Sequence, residues 1–365
     1  MGTMKKRLLS VLLCATMAVG MLIGCGSTAE EEKTEETTTT EESTETEETD
    51  VVAQMIADVE EKMNAALGTE PETGKGEKIG VLISSTSNEF WGTMKTRYEE
   101  AAEELGVELE VFEAAAEDDA AGQLDALNTM VGMDFDVIIL SPIDGTNLIP
   151  GIVAANEAGI PVINLGPGVD TTALGDAGGH LDAKITVNFS EQGSTVATDM
   201  VSRMPEGGQV AILAGLSGAA QSEGRTSGAT EVFEATEGIE LVATQACDWD
   251  TEVAYEATKD ILTANPEVKG IFACNDNMAL AAVQALQEMG IEDVMVYGVD
   301  YTSDAKAAIQ EGTMMGSMTY SSTAYTKAAV KMAMIIAQGG SFDEPVYLPL
   351  TLVTQDNVAD FEGWR

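Results

Sequence analysis

The stretch "KIGVLISSTSNEFWGTMKTRYEEAAEELGVELEVF", residues 78–112, decides the fold of this chain. An apolar run over 78–83 predicts a buried strand, the pattern of 92–106 predicts a helix, and 107–112 predicts a second strand. Four small hydroxyl residues separate the first strand from two adjacent aromatic residues, Phe90 and Trp91. Core packing places apolar residues in the interior. It does not account for two adjacent aromatic residues at a strand-to-helix junction, so their presence needs another explanation.

The strand–helix alternation continues along the chain and then starts again. The strand-like runs are 78–83, 107–112, 136–142, 161–166 and 184–189, followed by 209–215, 239–246, 270–276, 294–300 and 316–320. Continuous Val/Ile-rich strands separated by helices are typical of parallel sheets covered on both faces. Two such sets predict an α/β protein with two doubly wound, Rossmann-like lobes.

Polar residues cluster where the predicted strands end. The clusters are Ser84–Asn88, Ser141–Asp144, Gly166–Gly168, Ser217–Gln221, Asn275–Asn277 and Asp300–Ser303. Ligands of open parallel sheets bind outside the carboxyl ends of the strands. If the polar ends of the two lobes face each other, they form one cleft.

Composition excludes several functional classes. The chain has 62 acidic and 18 basic residues, a net charge of −44, which argues against nucleic-acid binding. Its one histidine, His180, has no metal-ligand motif around it, and the sequence has neither a phosphate loop nor an EF-hand. We therefore predict no metal, no cofactor and no catalytic residue. Cys247 and Cys274 are expected to be free and buried rather than paired.

The N-terminus has the features of an export signal. Basic residues at 5–7 precede an apolar run over 8–24 that ends in "LIGC", residues 22–25. This ending resembles the lipobox of bacterial lipoproteins, which implies that residues 1–24 are a signal peptide and that Cys25 carries lipid. A plain signal peptide and a membrane helix are the alternatives.

Two further segments precede the first strand. Residues 25–50 consist mainly of Glu and Thr and are expected to form a disordered acidic tether. Residues 51–67 place apolar side chains at helical spacing. We predict that 51–77 is an amphipathic helix and a linker, with the helix packed on the edge of the domain; a partner-binding helix is the alternative.

Long segments in the right order resemble the periplasmic sugar-binding proteins of the ribose- and galactose-binding type, the solute receptors of ABC importers. They are "SNEFWGTMKTRYEEAAEELGVELEV" (87–111), "DVIILSPID" (136–144), "ANEAGIPVINL" (155–165), "IFACNDNMALAAVQALQEMG" (271–290) and "YGVDYTSDAKAAIQEG" (297–312). The resemblance covers residues 78–355. It implies a periplasmic-binding-protein type I fold with a ligand cleft between two lobes.

The resemblance also implies how the chain is divided. The first lobe would take 78–187 and 321–341, and the second would take 188–320 and 342–365. Three crossovers near Asn188, Tyr320 and Gly340 would form the hinge. A ligand that bridges the lobes would stabilise the closed state.

In this family the aromatic pair has a function, since aromatic rings cover the C–H face of a sugar and amides and carboxylates bind its hydroxyls. The alternative is that these rings are interlobe core. The candidate ligand-binding residues are Ser84, Asn88, Phe90, Trp91, Glu223, Trp249, Asn275, Asp300 and Tyr320.

The sequence departs from the ribose-binding pattern at two places. Gly166 and Pro167 stand where that type has Asp-Arg, and Glu223 takes the place of a ligand-binding Arg, while Arg225 matches a structural Arg. Two ligand classes remain open: a sugar or polyol, or a cation held by Glu223 or Asp300 within an aromatic box.

We therefore predict a monomeric, extracytoplasmic solute-binding lipoprotein, and not an enzyme. It would deliver a sugar or polyol to an ABC permease and ATPase. A sensory receptor for a histidine kinase or chemoreceptor is the alternative, as is a cationic or nucleoside-like ligand. Neither alternative changes the expected fold.

Overall fold

A computed structural model describes residues 42–361 and residue 364. The predicted signal peptide, the predicted lipidation site Cys25 and the predicted tether up to residue 41 lie outside these described residues. No helix within the described part of the chain combines the length and apolarity needed to cross a bilayer.

In the part of the chain that the structure describes, two six-stranded sheets form the two lobes. The strands are β1 (Lys78–Leu82), β2 (Glu108–Phe112), β3 (Val137–Leu140), β4 (Val162–Leu165), β5 (Ala183–Thr186), β6 (Gly208–Ala214), β7 (Ile239–Ala246), β8 (Val268–Ala273), β9 (Met295–Val299), β10 (Gly316–Thr319), β11 (Val346–Tyr347) and β12 (Thr351–Thr354). The first sheet has the order β11-β5-β4-β3-β1-β2 and the second the order β12-β10-β9-β8-β6-β7. All pairs are parallel except β10 with β12. The predicted fold class is confirmed.

Helices cover both faces of each sheet. They are α1 (Glu42–Leu67), α2 (Glu89–Leu105), α3 (Ala120–Val131), α4 (Ile149–Ala158), α5 (Thr171–Asp176), α6 (Phe189–Ser202), α7 (Ala220–Ala235), α8 (Thr251–Ala264), α9 (Asp276–Met289), α10 (Ser303–Glu311) and α11 (Ser322–Ala337). Central strands are covered on both faces as a result: every residue of β3 and of β4 is buried. In both sheets the chain order reverses beside the first strand of the lobe, so a ligand crevice is expected at the carboxyl ends.

Within residues 42–361 the chain passes between the sheets three times. The first two passages, after β5 and after β10, lie at the predicted positions near Asn188 and Tyr320. The third does not lie near Gly340. Strand β11 pairs with β5 of the first sheet before the chain crosses to β12, so the third passage is at 348–350. A two-residue edge strand is too short to show as a sequence pattern, which explains the error.

Helix α1 is longer than the sequence predicts. It begins at Glu42, so residues 42–50 are helical rather than part of a disordered tether. Its apolar face buries Val52, Val59, Met63 and Leu67, as expected for a helix packed on the domain.

Two lysines of α11 join α1 to the first lobe. Lys331 Nζ lies 2.8 Å from both Asn64 Oδ1 and Glu70 Oε2. Lys327 Nζ lies 3.0 Å from Glu60 Oε2 of α1. These contacts hold α1 against α11 and add to its apolar packing.

Cys247 and Cys274 are both free and buried, as predicted. Burial raises the pKa of each thiol, that of Cys247 to about 12. Both are therefore neutral at physiological pH and pack as small apolar residues.

Candidate functional site

One cavity lies at the carboxyl ends of both sheets. The space between its lining atoms, which includes a part open to solvent, measures about 480 Å³. Its lining consists of Asn88, Phe90, Trp91, Glu117, Leu165, Gly166, Pro167, Phe189, Gln221, Arg225, Trp249, Asn275, Asp300, Tyr320 and Tyr325.

The structure brings seven of the predicted residues together in this cavity. They are Asn88, Phe90, Trp91, Trp249, Asn275, Asp300 and Tyr320. Ser84 is buried but does not line the cavity. Glu223 is exposed and lines a separate groove on the outside of the second lobe.

The misplacement of Glu223 follows from the geometry of α7. Residues four apart on a helix share a face, whereas residues two apart point to nearly opposite sides. Gln221 and Arg225 face the cavity, and Glu223, two residues from each, faces outward. The acid predicted at this position therefore does not enter the cavity, and an arginine does.

Asn88 joins the start of α2 to the cavity wall. Its Oδ1 accepts the backbone N–H of Phe90 at 2.9 Å, which caps the helix. Its Nδ2 therefore points away and donates to Glu117 Oε2 at 3.1 Å. Asn275 caps α9 in the same way, accepting from Met278 N at 2.9 Å. The two caps place one amide of each lobe in the cavity.

An aromatic row lies along the first-lobe wall and reaches the hinge. Phe90 meets Trp91 edge-to-face, with 5.0 Å between ring centroids. Phe90 also meets Tyr320 at 5.9 Å, and Tyr320 meets Tyr325 at 5.3 Å. Perpendicular rings at these distances are favourable contacts. The row gives the cavity a rigid apolar side.

Trp249 comes from the second lobe on a constrained loop. Asp248 and Trp249 both have left-handed backbone angles, with φ of 52° and 64°. The indole lies on Gly215, where a Cβ would be 2.0 Å from the Trp249 ring. Glycine at 215 therefore makes room for the tryptophan.

A buried carboxylate supports the segment that carries Asp300. Asp276 is fully buried and accepts from Ser317 Oγ at 2.8 Å and from the N–H of Thr302 at 2.7 Å. Asp300 and Tyr301 have positive φ, 111° and 56°. The hydrogen bonds to Asp276 hold this strained turn, which directs Asp300 toward the cavity.

Arg225 is held firmly in the second-lobe wall. Its Nε donates to Gln192 Oε1 at 2.8 Å and its Nη1 donates to the carbonyl of Cys274 at 2.7 Å. The guanidinium also lies 5.6 Å from the centroid of the Phe189 ring. These contacts fit the predicted structural role, and the side chain also reaches the cavity.

The lobes also meet directly at one point on the surface. Glu89 Oε1, at the start of α2, accepts from Ser303 Oγ at 2.9 Å and from Ser303 N at 3.1 Å, at the start of α10. This contact requires the starts of α2 and α10, which lie in different lobes, to be close together.

Sequence reasoning missed several lining residues, among them Glu117 and Gln221. Glu117 lies in the loop between β2 and α3, which no strand-end pattern marks. Gln221 belongs to the predicted polar cluster Ser217–Gln221, and helical spacing from Arg225 would have placed both on one face.

Comparisons with known proteins agree with this geometry. A profile of the family described as periplasmic binding protein domain matches residues 79–341. The chain belongs to the periplasmic binding protein family. The D-allose-binding periplasmic protein of Escherichia coli K12 is 32% identical over 243 residues, 66% of this chain and 78% of that protein.

Solved structures of family members superpose on most of the chain. A solute-binding protein of an ABC transporter from Actinobacillus succinogenes, with bound D-allose, is 31% identical with a TM-score of 0.73; the match covers 77% of this chain and 99% of that one. One from Bacillus halodurans, with bound myo-inositol, is 26% identical with a TM-score of 0.72, covering 80% and 100%.

Proposed function

We propose that this family member captures a neutral, hydroxyl-rich small molecule, a sugar or polyol, and delivers it to an ABC importer without chemical turnover. The observation that carries the proposal is the cavity wall: aromatic rings from both lobes combined with hydrogen-bonding side chains from both lobes.

The aromatic residues supply the apolar half of the recognition. Trp91 of the first lobe and Trp249 of the second both line the cavity. A sugar or cyclic polyol has C–H faces that such rings cover, and its hydroxyls project at the rim. Contact with both lobes would stabilise their closed arrangement, the state that a permease recognises.

The polar lining suits a ligand with many hydroxyl groups. Gln221 Oε1 is buried and has no hydrogen-bond partner among the residues that the structure describes. A buried acceptor without a donor is costly, so a donor from the ligand is expected there. Glu117 and Asp300 add acceptors, while Arg225 and Asn275 add donors. Hydroxyl groups both donate and accept, and so match this mixture.

A second candidate ligand is an amine-bearing sugar or polyol. Two carboxylates, Glu117 and Asp300, share the cavity with one arginine, Arg225. Arg225 already donates to Gln192 and to Cys274. An ammonium group on the ligand would be attracted to these two carboxylates.

The delivery step rests on the relatives. The proteins from A. succinogenes and B. halodurans are described as parts of ABC transporters. A sensory receptor would use the same closed shape to contact a histidine kinase or chemoreceptor. Neighbouring genes distinguish the two: a permease and an ATPase support import, and a kinase supports sensing.

Thermal unfolding against D-allose, myo-inositol, glycerol, glucosamine and a nucleoside tests the ligand class. A ligand at about a thousand times its Kd adds roughly 4 kcal/mol to the free energy of unfolding. We expect this gain to raise the unfolding temperature by several degrees. Trp249→Ala serves as the control and should lose the response. A rise with glucosamine alone would favour the amine-bearing class, and no rise with any compound would contradict sugar or polyol binding.

We further propose that the protein is exported, anchored by lipid on Cys25, and monomeric on the outer face of the membrane. The LIGC motif at 22–25 supports this proposal. Mass spectrometry of the membrane-extracted protein should find an N-terminal lipid-modified Cys25, and Cys25→Ala should leave the protein unlipidated. An unmodified Cys25 in a protein that keeps residues 1–24 would contradict the anchor.

A further inference from the structure

Glu117 is an acid of the cavity that the sequence does not mark. It lies between β2 and α3, and its carboxylate forms part of the first-lobe wall. Two donors from the start of α2 fix its position: Asn88 Nδ2 at 3.1 Å and the side chain of Trp91.

The orientation of these donors is set by the backbone. Because the Oδ1 of Asn88 accepts from Phe90 N, only its Nδ2 can face Glu117. The bond uses Glu117 Oε2, and the same side chain lines the cavity beside Trp91. Asn88 and Trp91 are both expected to contact ligand, so the carboxylate between them shares that contact surface.

We propose that the Glu117 carboxylate accepts hydrogen bonds directly from the bound ligand, and that ligand binding requires its ionised form. This inference rests on the proposed function and adds one specificity-determining residue to it. The ligand class is one whose hydroxyl or ammonium groups can donate to a carboxylate.

Other charged groups in the cavity set the titration of Glu117. The pKa of Glu117 is raised to about 7. Burial is the largest cause; hydrogen bonds from Asn88 and Trp91 lower the pKa, and the charge of Asp300 raises it. Arg225 lies in the opposite wall, and Asp118 and Asp119 neighbour Glu117 on its own loop. The tyrosines of the lining, Tyr320 and Tyr325, are the remaining titratable groups facing the cavity.

The sign of the pH effect follows from the donors. A ligand that donates to the carboxylate favours its charged form and lowers its pKa, so binding releases a proton. Affinity is then constant above about pH 8 and falls about tenfold per pH unit below pH 7. Between pH 8 and pH 5 the loss should reach about 100-fold.

The test is calorimetric titration of the purified chain with D-allose and with myo-inositol at pH 8, 7, 6 and 5. Glu117→Gln keeps the size of the side chain and one acceptor but does not titrate. We expect this variant to bind about tenfold more weakly at pH 8 and with little pH dependence. Asp118→Asn, an exposed neighbour outside the cavity lining, is the matched control and should keep the wild-type pH profile.

Titration at pH 7 in two buffers with different ionisation enthalpies gives a second readout. The wild type should release a fraction of a proton on binding, and Glu117→Gln should release none. Binding with the same affinity at all four pH values, or stronger binding in acid, would overturn the inference and leave the proposed function standing. Absence of binding by both compounds at every pH, together with no rise in unfolding temperature with any compound of the thermal panel, would overturn both.

Discussion

Gly215→Ala is expected to weaken ligand binding about 100-fold while leaving the protein folded. A Cβ at this position would lie 2.0–2.3 Å from three atoms of the Trp249 ring, far below contact distance. Those atoms are at the far end of the side chain, so the indole can swing away and spare the core. The stacking ring would then leave the cavity, and losing the burial of such a ring costs about 2–3 kcal/mol, or about 100-fold in affinity.

A double-mutant cycle separates this explanation from general damage. Trp249→Ala alone should weaken binding about as much as Gly215→Ala, and the double variant should lose little more, because both changes remove the same contact. Circular dichroism and the unfolding temperature of ligand-free Gly215→Ala should stay close to wild type. Wild-type affinity of Gly215→Ala, or additive losses in the double variant, would show that position 215 does not affect ligand binding through Trp249.

The fold could be predicted because its strands carry a strong local signal. Runs such as 78–83 and 239–246 are long, apolar or β-branched and flanked by turns, and the structure places β1 and β7 there. The exceptions are β11 and β12, of two and four residues, whose pairing depends on where the chain passes between the sheets. Short edge strands are selected by tertiary contacts and not by pattern.

Site residues could be predicted where a polar residue lies near the end of a strand and also matches the pattern of the sugar-binding proteins. Asn88 and Asn275 cap the helices that come after β1 and β8, so their place is fixed by local structure. Glu117 lies within the loop between β2 and α3, where it neither ends a strand nor caps a helix, so no local pattern specifies its place. The resemblance assigns Glu223 to the cavity, whereas helical periodicity puts Gln221 and Arg225 on the inner face of α7 and Glu223 on the outer one.

Gly228→Ala is expected to destabilise the second lobe, because this glycine lies where two helices of the cavity wall meet. Helices α6 and α7 approach closely because glycines stand at their contact: a Cβ on Gly228 would lie 2.0 Å from the Ser190 carbonyl oxygen, and one on Gly193 would lie 1.9 Å from that of Arg225. Backbone atoms meet here, so no side chain can move aside. Gly228→Ala must therefore separate the helices, and we expect a loss of about 2–4 kcal/mol in the free energy of unfolding.

The contact between α6 and α7 also positions a residue of the cavity wall. Close approach brings Arg225 of α7 within 2.8 Å of Gln192 and within 5.6 Å of the Phe189 ring, both on α6. Denaturant unfolding of Gly228→Ala should show the lost stability, and the unfolding temperature should fall by at least about 5 °C. Gly92→Ala is the matched control, a glycine inside α2 with open space around its Cβ position, where alanine should be neutral or stabilising by up to about 1 kcal/mol. Equal stability of the two variants would show that the helices can separate without cost, and the glycines would then not be what holds Arg225 in the cavity wall.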